Sequence, residues 1–376
     1  MAIDIIQIPA RRKDLKRFVK FGIDLYKDNE YYIPPLISGD INTLIPAKNP
    51  AFEYCEAQSF MAYKNGKAAG RITAIINHRV NDRTGHNDLR FGFVDFIDDD
   101  EVVDALFEAA ARWGKERGMT SMVGPMGFTD MDHEGMLVEG FAETGTMATI
   151  YNYPYYVRQM ERMGFVKDAD WLEFRMTVPQ SIPEKYARIA DIVAKKYGLR
   201  TIKFTSRRKL RQQYGHALFE LINEAYDNLY GYSPLSPRQI DYYIDMYLGI
   251  LRLEDVSIVI DNEDRLIGVG ISITSFSNAL RRSRGKLFPL GWRHFIKPLR
   301  GKEDVVDLLL VAVRPEFQNK GVNALIFCDL LPVYIRNGYK YAESNPEYEG
   351  NGSVQKQWDY FEHRQHRRRR AFRRGI

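Results

Sequence analysis

Val305-Val306-Asp307-Leu308-Leu309-Leu310-Val311-Ala312-Val313, running into Arg314-Pro315-Glu316-Phe317-Gln318-Asn319-Lys320-Gly321-Val322-Asn323, is the stretch that decides how this chain is read. The apolar run is short, rich in β-branched residues and bounded by Pro315, which reads as a buried strand. Val322, Leu325, Ile326, Leu330 and Val333 then recur at helical spacing, so the loop ends where a helix begins. Gly321, which has no Cβ, stands just ahead of that helix. The first N–H groups of a helix lack intrahelical partners and carry the positive end of its dipole. Such a place accepts an anion, a pyrophosphate included.

In these residues the chain resembles the GNAT acyltransferase superfamily. Strand, V-x-P-x-x-Q-x-x-G-x-x-A, then helix is similar to that family's acyl-CoA signature, Q/R-x-x-G-x-G/A. Gln318 and Gly321 fit it, whereas Asn323 stands where the last small residue is usual and Ala324 follows. The resemblance implies that the loop amides hold the CoA pyrophosphate and that the strand before them pairs with the pantetheine arm. It carries the cofactor role onto Val311, Val313, Gln318, Asn319, Lys320, Gly321 and Asn323. The co-substrate implied is acyl-CoA or acetyl-CoA, with no metal. An ordinary strand-to-helix turn shaped by its glycine is the competing reading of the motif alone.

Composition sets the frame. A chain of 376 residues has room for two domains, and 45% hydrophobic with 27% charged residues is the balance of a soluble globular protein. No charge-free apolar run approaches the ~20 residues that span a bilayer, and Met1-Ala2-Ile3-Asp4 has no signal-peptide pattern. The expected location is the cytoplasm, with peripheral attachment to the inner membrane face as a further expectation. Cys55 and Cys328 are too far apart in sequence and too isolated from other ligands to point to a disulfide framework or a zinc site. The net charge of +5 is unevenly spread. Leu280 to Lys302 holds eight Lys or Arg and no acid, and His363 to Arg374 holds seven Arg.

The same order of elements recurs in both halves. Ile3 to Ile8 reads as a strand and Arg11 to Tyr26 as a helix. Ser59 to Tyr63 turns through Lys64-Asn65-Gly66-Lys67 into Ala68 to Ile76, and the strand Phe91 to Phe96 precedes a periodic helix, Asp100 to Arg117. In the second half come Arg200 to Phe204, Leu210 to Leu229, the hairpin Ser257 to Ile260 with Leu266 to Thr274, and the strand-loop-helix above. The fold class expected is α/β with mixed sheets, as two tandem GNAT-like lobes: a degenerate one over 1–180 and an acyl-CoA-binding one over 181–376. Pro179 to Pro183 breaks both periodicities and marks the boundary. In the first lobe Ile97-Asp98-Asp99-Asp100-Glu101 opens the helix, where carboxylates suit the dipole but repel a pyrophosphate. Tyr151 to Phe165 resembles the helix and Gly-Phe turn with which many GNAT lobes end.

Acyl transfer from a thioester needs a base for the amine and an acid for the departing thiolate. Glu343, at the end of the strand Tyr339 to Glu343, is the candidate base, and Tyr360 the candidate acid, because the family often presents a tyrosine to the CoA sulfur. A solvated strand end and a core aromatic explain them equally. Asn345 and His133 are candidate substrate contacts; His133 is the best titratable group in the loop Gly124 to Gly135. Asp130, Asp132, His133 and Glu134 are plausible metal ligands whose spacing matches no defensible motif. The insertion Ser277 to Lys302 mixes basic with aromatic and aliphatic residues, which suits an anionic membrane, a charged segment packed on its own lobe, or single-stranded nucleic acid, the last not favoured. The C-terminal arginines read as a frayed tail or a final edge strand facing phosphates.

The leading expectation is therefore an acyl-CoA-dependent N-acyltransferase in which an amine acceptor attacks the thioester directly. The Gly-Pro loop, Tyr-Asn-x-Pro-Tyr-Tyr and the basic insertion are together similar to the bacterial GNAT-like group that includes ceramide synthases. That similarity implies a long acyl chain and a lipid amine. Acetyl transfer to a soluble amine or peptide is one rival, and a non-catalytic CoA- or lipid-binding module, kept open by Asn323, is another.

Overall fold

A computed structural model describes residues 3–376. Two compact units divide the chain: Met1–Leu172 with Ser277–His294 and His366–Ile376, and Glu173–Phe276 with Phe295–Gln365.

In the first unit the strand Ile3–Ile8 lies antiparallel to Cys55–Lys64, which pairs with Lys67–Asn77, which pairs with Asp88–Phe96. Asp88–Phe96 then runs parallel to Ser121–Gly124, and the C-terminal strand His363–Gly375 pairs antiparallel with Ser121–Gly124 through Phe372 to Gly375. Successive side chains of a strand point to opposite faces, and here both faces are dry. Phe60, Ala62, Ile72, Ala74 and Ile76 join the core under the helix Asp100–Lys115, while Met61 and Ile75 join the core that includes Leu15, Phe18 and Val19 of the helix Arg12–Leu25. That two-sided burial explains why Lys67–Asn77 has no clean polar alternation.

The second unit repeats the order. Arg200–Ile202 pairs antiparallel with Val256–Ile260, that with Leu266–Thr274, and that with Val305–Val313. Val305–Val313 runs parallel to Tyr341–Ser344, whose other edge receives Arg175 to Thr177 antiparallel. Between the last two strands comes the helix Val322–Asn337, which packs on the helix Glu184–Tyr197. Both units thus read strand, helix, hairpin, strand, helix, strand, an α/β architecture with mixed sheets.

The arginine-rich end corrects two expectations. It is neither frayed nor turned toward phosphates, because Arg368, Arg370 and Arg373 meet carboxylates of the first unit, and Arg367, Arg369 and Arg374 donate to its backbone carbonyls. Arg370 Nε donates to Asp170 Oδ1 at 2.7 Å, and Arg373 donates to Asp168 at 2.8 Å and to Asp88 at 2.6 Å. Charge-assisted pairs of this kind hold a cationic strand where uncompensated guanidinium groups would be costly.

Candidate acyl-CoA site and its counterpart in the first unit

The strand Val305–Val313 keeps Leu266–Thr274 beside it along its length, but its pairing with Tyr341–Ser344 ends at Leu308 and Ser344. The break coincides with a bulge: Ser272 pairs with Leu308 and Ile271 with Leu310, leaving Leu309 as the extra residue. A bulge bends its strand and increases twist, so the two parallel strands diverge from there. Asn345 marks the start of the wedge, donating from its backbone to Leu308 O at 3.3 Å and from Nδ2 to Leu309 O at 2.7 Å. Arg314 N donates to Ile267 O at 2.9 Å, so alternate residues, Ala312 and Arg314, aim their peptide groups at the hairpin. Val311 and Val313 aim theirs into the wedge. Val311 O accepts from Tyr226 Oη at 3.0 Å, and Val313 O from Gln318 Nε2 at 3.1 Å.

The loop that follows is short and open. Pro315–Phe317 forms one 3-10 turn, Gln318 is extended, and Gln318, Asn319 and Lys320 are exposed. Asn319 (φ 59°) and Gly321 (φ 83°) both take left-handed conformations, which turn the chain sharply into the helix. No side chain caps that helix start. A Cβ on Gly321 would lie 3.0 Å from Val193 Cγ2, so the position is tight as well as left-handed. Asn323, the departure from the usual small residue, donates from Nδ2 to Gln357 Oε1 at 3.0 Å and so ties the first helical turn to the segment Lys356–Tyr360. An open loop, an uncapped helix start and a strand edge facing the same wedge fit a phosphate-bearing ligand with an extended arm.

Glu343 precedes the wedge by one residue. Its side chain is 3% exposed and accepts from Arg175 Nε at 2.5 Å. Tyr360 ends its 3-10 turn with its ring 5.2 Å from that of Tyr186 and 5.3 Å from Lys185 Nζ. Sequence reasoning missed Glu347. It follows the splayed strand, is partly open, and accepts from Trp358 Nε1 at 3.0 Å; burial pushes its carboxyl up to about 8, against the lowering effect of the Trp358 and Ser344 hydrogen bonds. Trp358 itself is 2% exposed. Two acids four residues apart in Glu343-Ser344-Asn345-Pro346-Glu347 were the available signal, but nothing in sequence says which one the wedge leaves accessible.

His133 lies in the first unit. Its Nε2 is 3.0 Å from Met147 O, and burial lowers its pKa. Asp132 Oδ2 accepts from the backbone N–H groups of Phe128 (2.9 Å) and Thr129 (3.1 Å), making it a loop brace, while burial raises Asp130 to about 7. Among the described residues no group of three His, Cys, Asp or Glu is arranged to hold a metal ion.

The first unit has the same strand geometry with the opening filled. Asp88–Phe96 pairs with Ser121–Gly124 only as far as Arg90 and carries an irregularity at Phe93 (φ 46°). At its end Tyr155 Oη donates to Phe96 O at 2.6 Å and Phe96 N donates to Tyr156 Oη at 3.0 Å. The next helix start is capped by Asp99, which is paired with Lys64 at 2.5 Å, and Asp98 is held by Arg158 at 2.5 Å and Gln159 at 3.0 Å. Tyrosines take the strand edge and carboxylates take the helix terminus.

No family model matches the chain. It is similar to Protein YghO of Escherichia coli, 28% identical over 344 residues covering 85% of this chain and 87% of that protein. It is also similar to the bacterial ceramide synthase of Caulobacter vibrioides, 28% identical over 324 residues covering 84% and 82%. Among solved structures, a tandem GNAT protein from the clavulanic acid biosynthesis pathway superposes with a TM-score of 0.58 at 10% identity, covering all of this chain (100%) and 98% of its own. A GCN5-related N-acetyltransferase from Sphaerobacter thermophilus gives 0.52 at 12% identity, covering 99% and 95%. The fold is the tandem GNAT fold.

Proposed function

We propose that this protein is an acyltransferase of the GNAT type, moving an acyl group from acyl-CoA to an amine, with the chemistry in the lobe 181–376 and the lobe 1–180 binding no CoA. One observation carries the reading: the second unit combines two parallel strands that part at the bulge at Leu309 with an uncapped helix start at Gly321. Val311 and Val313 hold the extended arm, and the backbone of Gln318 to Gly321 with Lys320 holds the phosphates. Asn323 keeps the helix start in place through Gln357.

The amine attacks the thioester carbonyl, loses a proton to a carboxylate, and the thiolate leaves with a proton from an acid; no acyl group is parked on the protein. Glu343 is the base and Tyr360 the acid on their positions at and after the splayed strand, with Asn345 at the wedge as a substrate contact. Glu347 is a second reading for the base, favoured because it is partly open while Glu343 is closed by Arg175, and because a group poised near 8 matches the working pH of general-base catalysis. The likeness to a ceramide synthase supports a long acyl chain and a lipid amine such as a sphingoid base, which brings the protein to a membrane surface. No helix among the described residues is long and apolar enough to cross a membrane.

The test is calorimetry with CoA, acetyl-CoA and palmitoyl-CoA, followed by mass-spectrometric detection of N-acyl product from sphinganine or a soluble amine. Preferential binding of palmitoyl-CoA with N-acylsphinganine formed is the expected result. Acetyl-CoA preference with only the soluble amine modified replaces the lipid reading, and no CoA binding removes the function.

A further inference from the structure

Residues Ser277–His294 belong to the first unit. At the root Ser277 Oγ donates to Gly145 O at 3.1 Å, Ile37 N donates to Gly285 O at 3.0 Å, and Ala279 and Leu280 are buried. Gly285 has φ 68°, and a Cβ there would sit 2.1 Å from Pro35 O, so the chain is pressed against its support. Beyond the root the chain closes on itself: Trp292 N donates to Leu287 O at 2.8 Å and Arg293 N to Leu290 O at 3.2 Å.

What this closed turn presents is unusual for a soluble surface. Phe288 is 80% exposed, Leu290 55% and Trp292 46%; of the ten exposed large hydrophobic residues among the described residues, three fall within five consecutive positions. Isolated exposed apolar residues need no explanation, but a concentration on one tip does. Arg281, Arg282, Arg284, Lys286 and Arg293 surround them in sequence and are all exposed. None of these five is engaged by a carboxylate among the described residues, and the chain from Leu280 to Lys302 contains no acid. Ile296 and Leu299 continue the exposed apolar pattern past the turn.

We propose that the turn Lys286–His294 docks the protein on an anionic phospholipid surface, Phe288, Leu290 and Trp292 entering the headgroup boundary while the neighbouring arginines meet lipid phosphates. Two complementary features favour this occupant. Guanidinium groups without a carboxylate partner among the described residues match phosphate oxygens, and an aromatic ring with a polar edge is at home where bilayer meets water. A soluble polyanion would use the arginines and gain nothing from Phe288 or Leu290. A rooted, internally closed turn also presents its tip without much ordering cost on binding. The inference names the surface on which the lipid reading of the acceptor would operate, but it stands on the turn alone.

The test uses the full chain and vesicles of phosphatidylcholine with or without about 30 mol% phosphatidylglycerol, a composition that sets the surface charge. The protein is expected to sediment with the anionic vesicles and not with the neutral ones, with partitioning falling as salt shortens the screening length. Replacing Phe288, Leu290 and Trp292 by Ser, or Arg281, Arg282, Arg284 and Lys286 by Ser, should each weaken partitioning at least about tenfold. Trp emission should shift to the blue on anionic vesicles in the wild type and not in Trp292→Phe. Absence of vesicle binding, equal binding to neutral vesicles, or full binding after the apolar triple replacement overturns the proposal, the last in favour of a purely electrostatic polyanion surface. CoA calorimetry without vesicles keeps the functional reading separate: CoA binding without vesicle binding removes the docking turn alone.

Discussion

Gly321 concentrates three demands in one residue: a left-handed backbone, a tight approach to Val193, and a place in front of uncapped amides. Gly321→Asp adds a strained Cβ and a carboxylate where an anion must sit, so CoA binding should fall below detection in calorimetry while the far-ultraviolet circular dichroism spectrum is retained; unchanged affinity would sink the cofactor assignment. If Glu343 and Tyr360 are base and acid, Glu343→Gln and Tyr360→Phe should each lower turnover by roughly 10²-fold with CoA affinity little changed. Glu347 is read through pH. Its carboxyl rises from an ordinary 4.5 to about 8 in the fold, so between those values the folded state keeps a proton the unfolded chain has lost. Stability contributed by this group is therefore complete at low pH and declines as pH rises toward 8. Glu347→Gln has no such dependence, and its melting temperature should gain on the wild type between pH 5 and pH 8. If Glu347 also takes the amine proton, the rate–pH profile should carry an inflection near 8 that this variant lacks; an inflection that disappears only in Glu343→Gln gives the role to Glu343. The motif residues of the loop were legible because a glycine, a glutamine and the end of an apolar strand are local signals. Glu347 was not, because its character comes from Trp358, eleven residues on, and from burial that only the folded wedge creates.

The paired helices Asp100–Lys115 and Val322–Asn337 occupy equivalent places after their strands and differ at their first turns. Asp99 accepts from Val102 N at 3.2 Å and holds Lys64 as well, which makes the first helix start a closed, self-satisfied terminus. Asp99→Ala should cost about 1 kcal/mol, read from denaturant unfolding, because an N-cap oxygen is lost. A much smaller effect would show that the cap is redundant with the Lys64 contacts. Helices with a cap and a regular apolar period could be placed from sequence to within a few residues, as Asp100 to Arg117 was. The helix Pro237–Leu248 carries a Ser236–Gln239 capping box and still went unread, and the insertion's root was invisible because its contacts with Ile37 and Gly145 are far away in sequence. The C-terminal strand was one of two readings of its arginines, but its partners were hidden for the same reason. Seven arginines look like a solvated tail until Asp88, Asp168 and Asp170, some two hundred residues or more earlier, are brought alongside.

At the scale of the whole chain the repeated order of elements was legible because each half spells it locally, and the asymmetry between the halves was legible at one point only, the Asp-rich helix start. The structure adds the second lock: Tyr155 and Tyr156 occupy the backbone groups of Phe96, at the position equivalent to Val313 in the register of each hairpin, Gly70 with Phe96 and Gly268 with Val313. A ligand arm pairing with that strand in the first unit would have to displace two tyrosine hydroxyl contacts at Phe96, where the second unit has one, Tyr226 on Val311 O, and enter beside Asp98 and Asp99. Both costs act before any favourable contact is made, since a displaced hydroxyl must find another partner and the approaching phosphates meet carboxylates at close range. The molecule should therefore bind one CoA per chain, not two. Titration calorimetry on the full chain should give a stoichiometry of one, and Gly321→Asp should abolish it entirely. Tyr155→Phe with Tyr156→Phe should leave the stoichiometry at one, because the acidic helix start still stands. A second equivalent of CoA in the wild type, or residual binding in the Gly321→Asp variant, would show that the first unit retains a cofactor site after all.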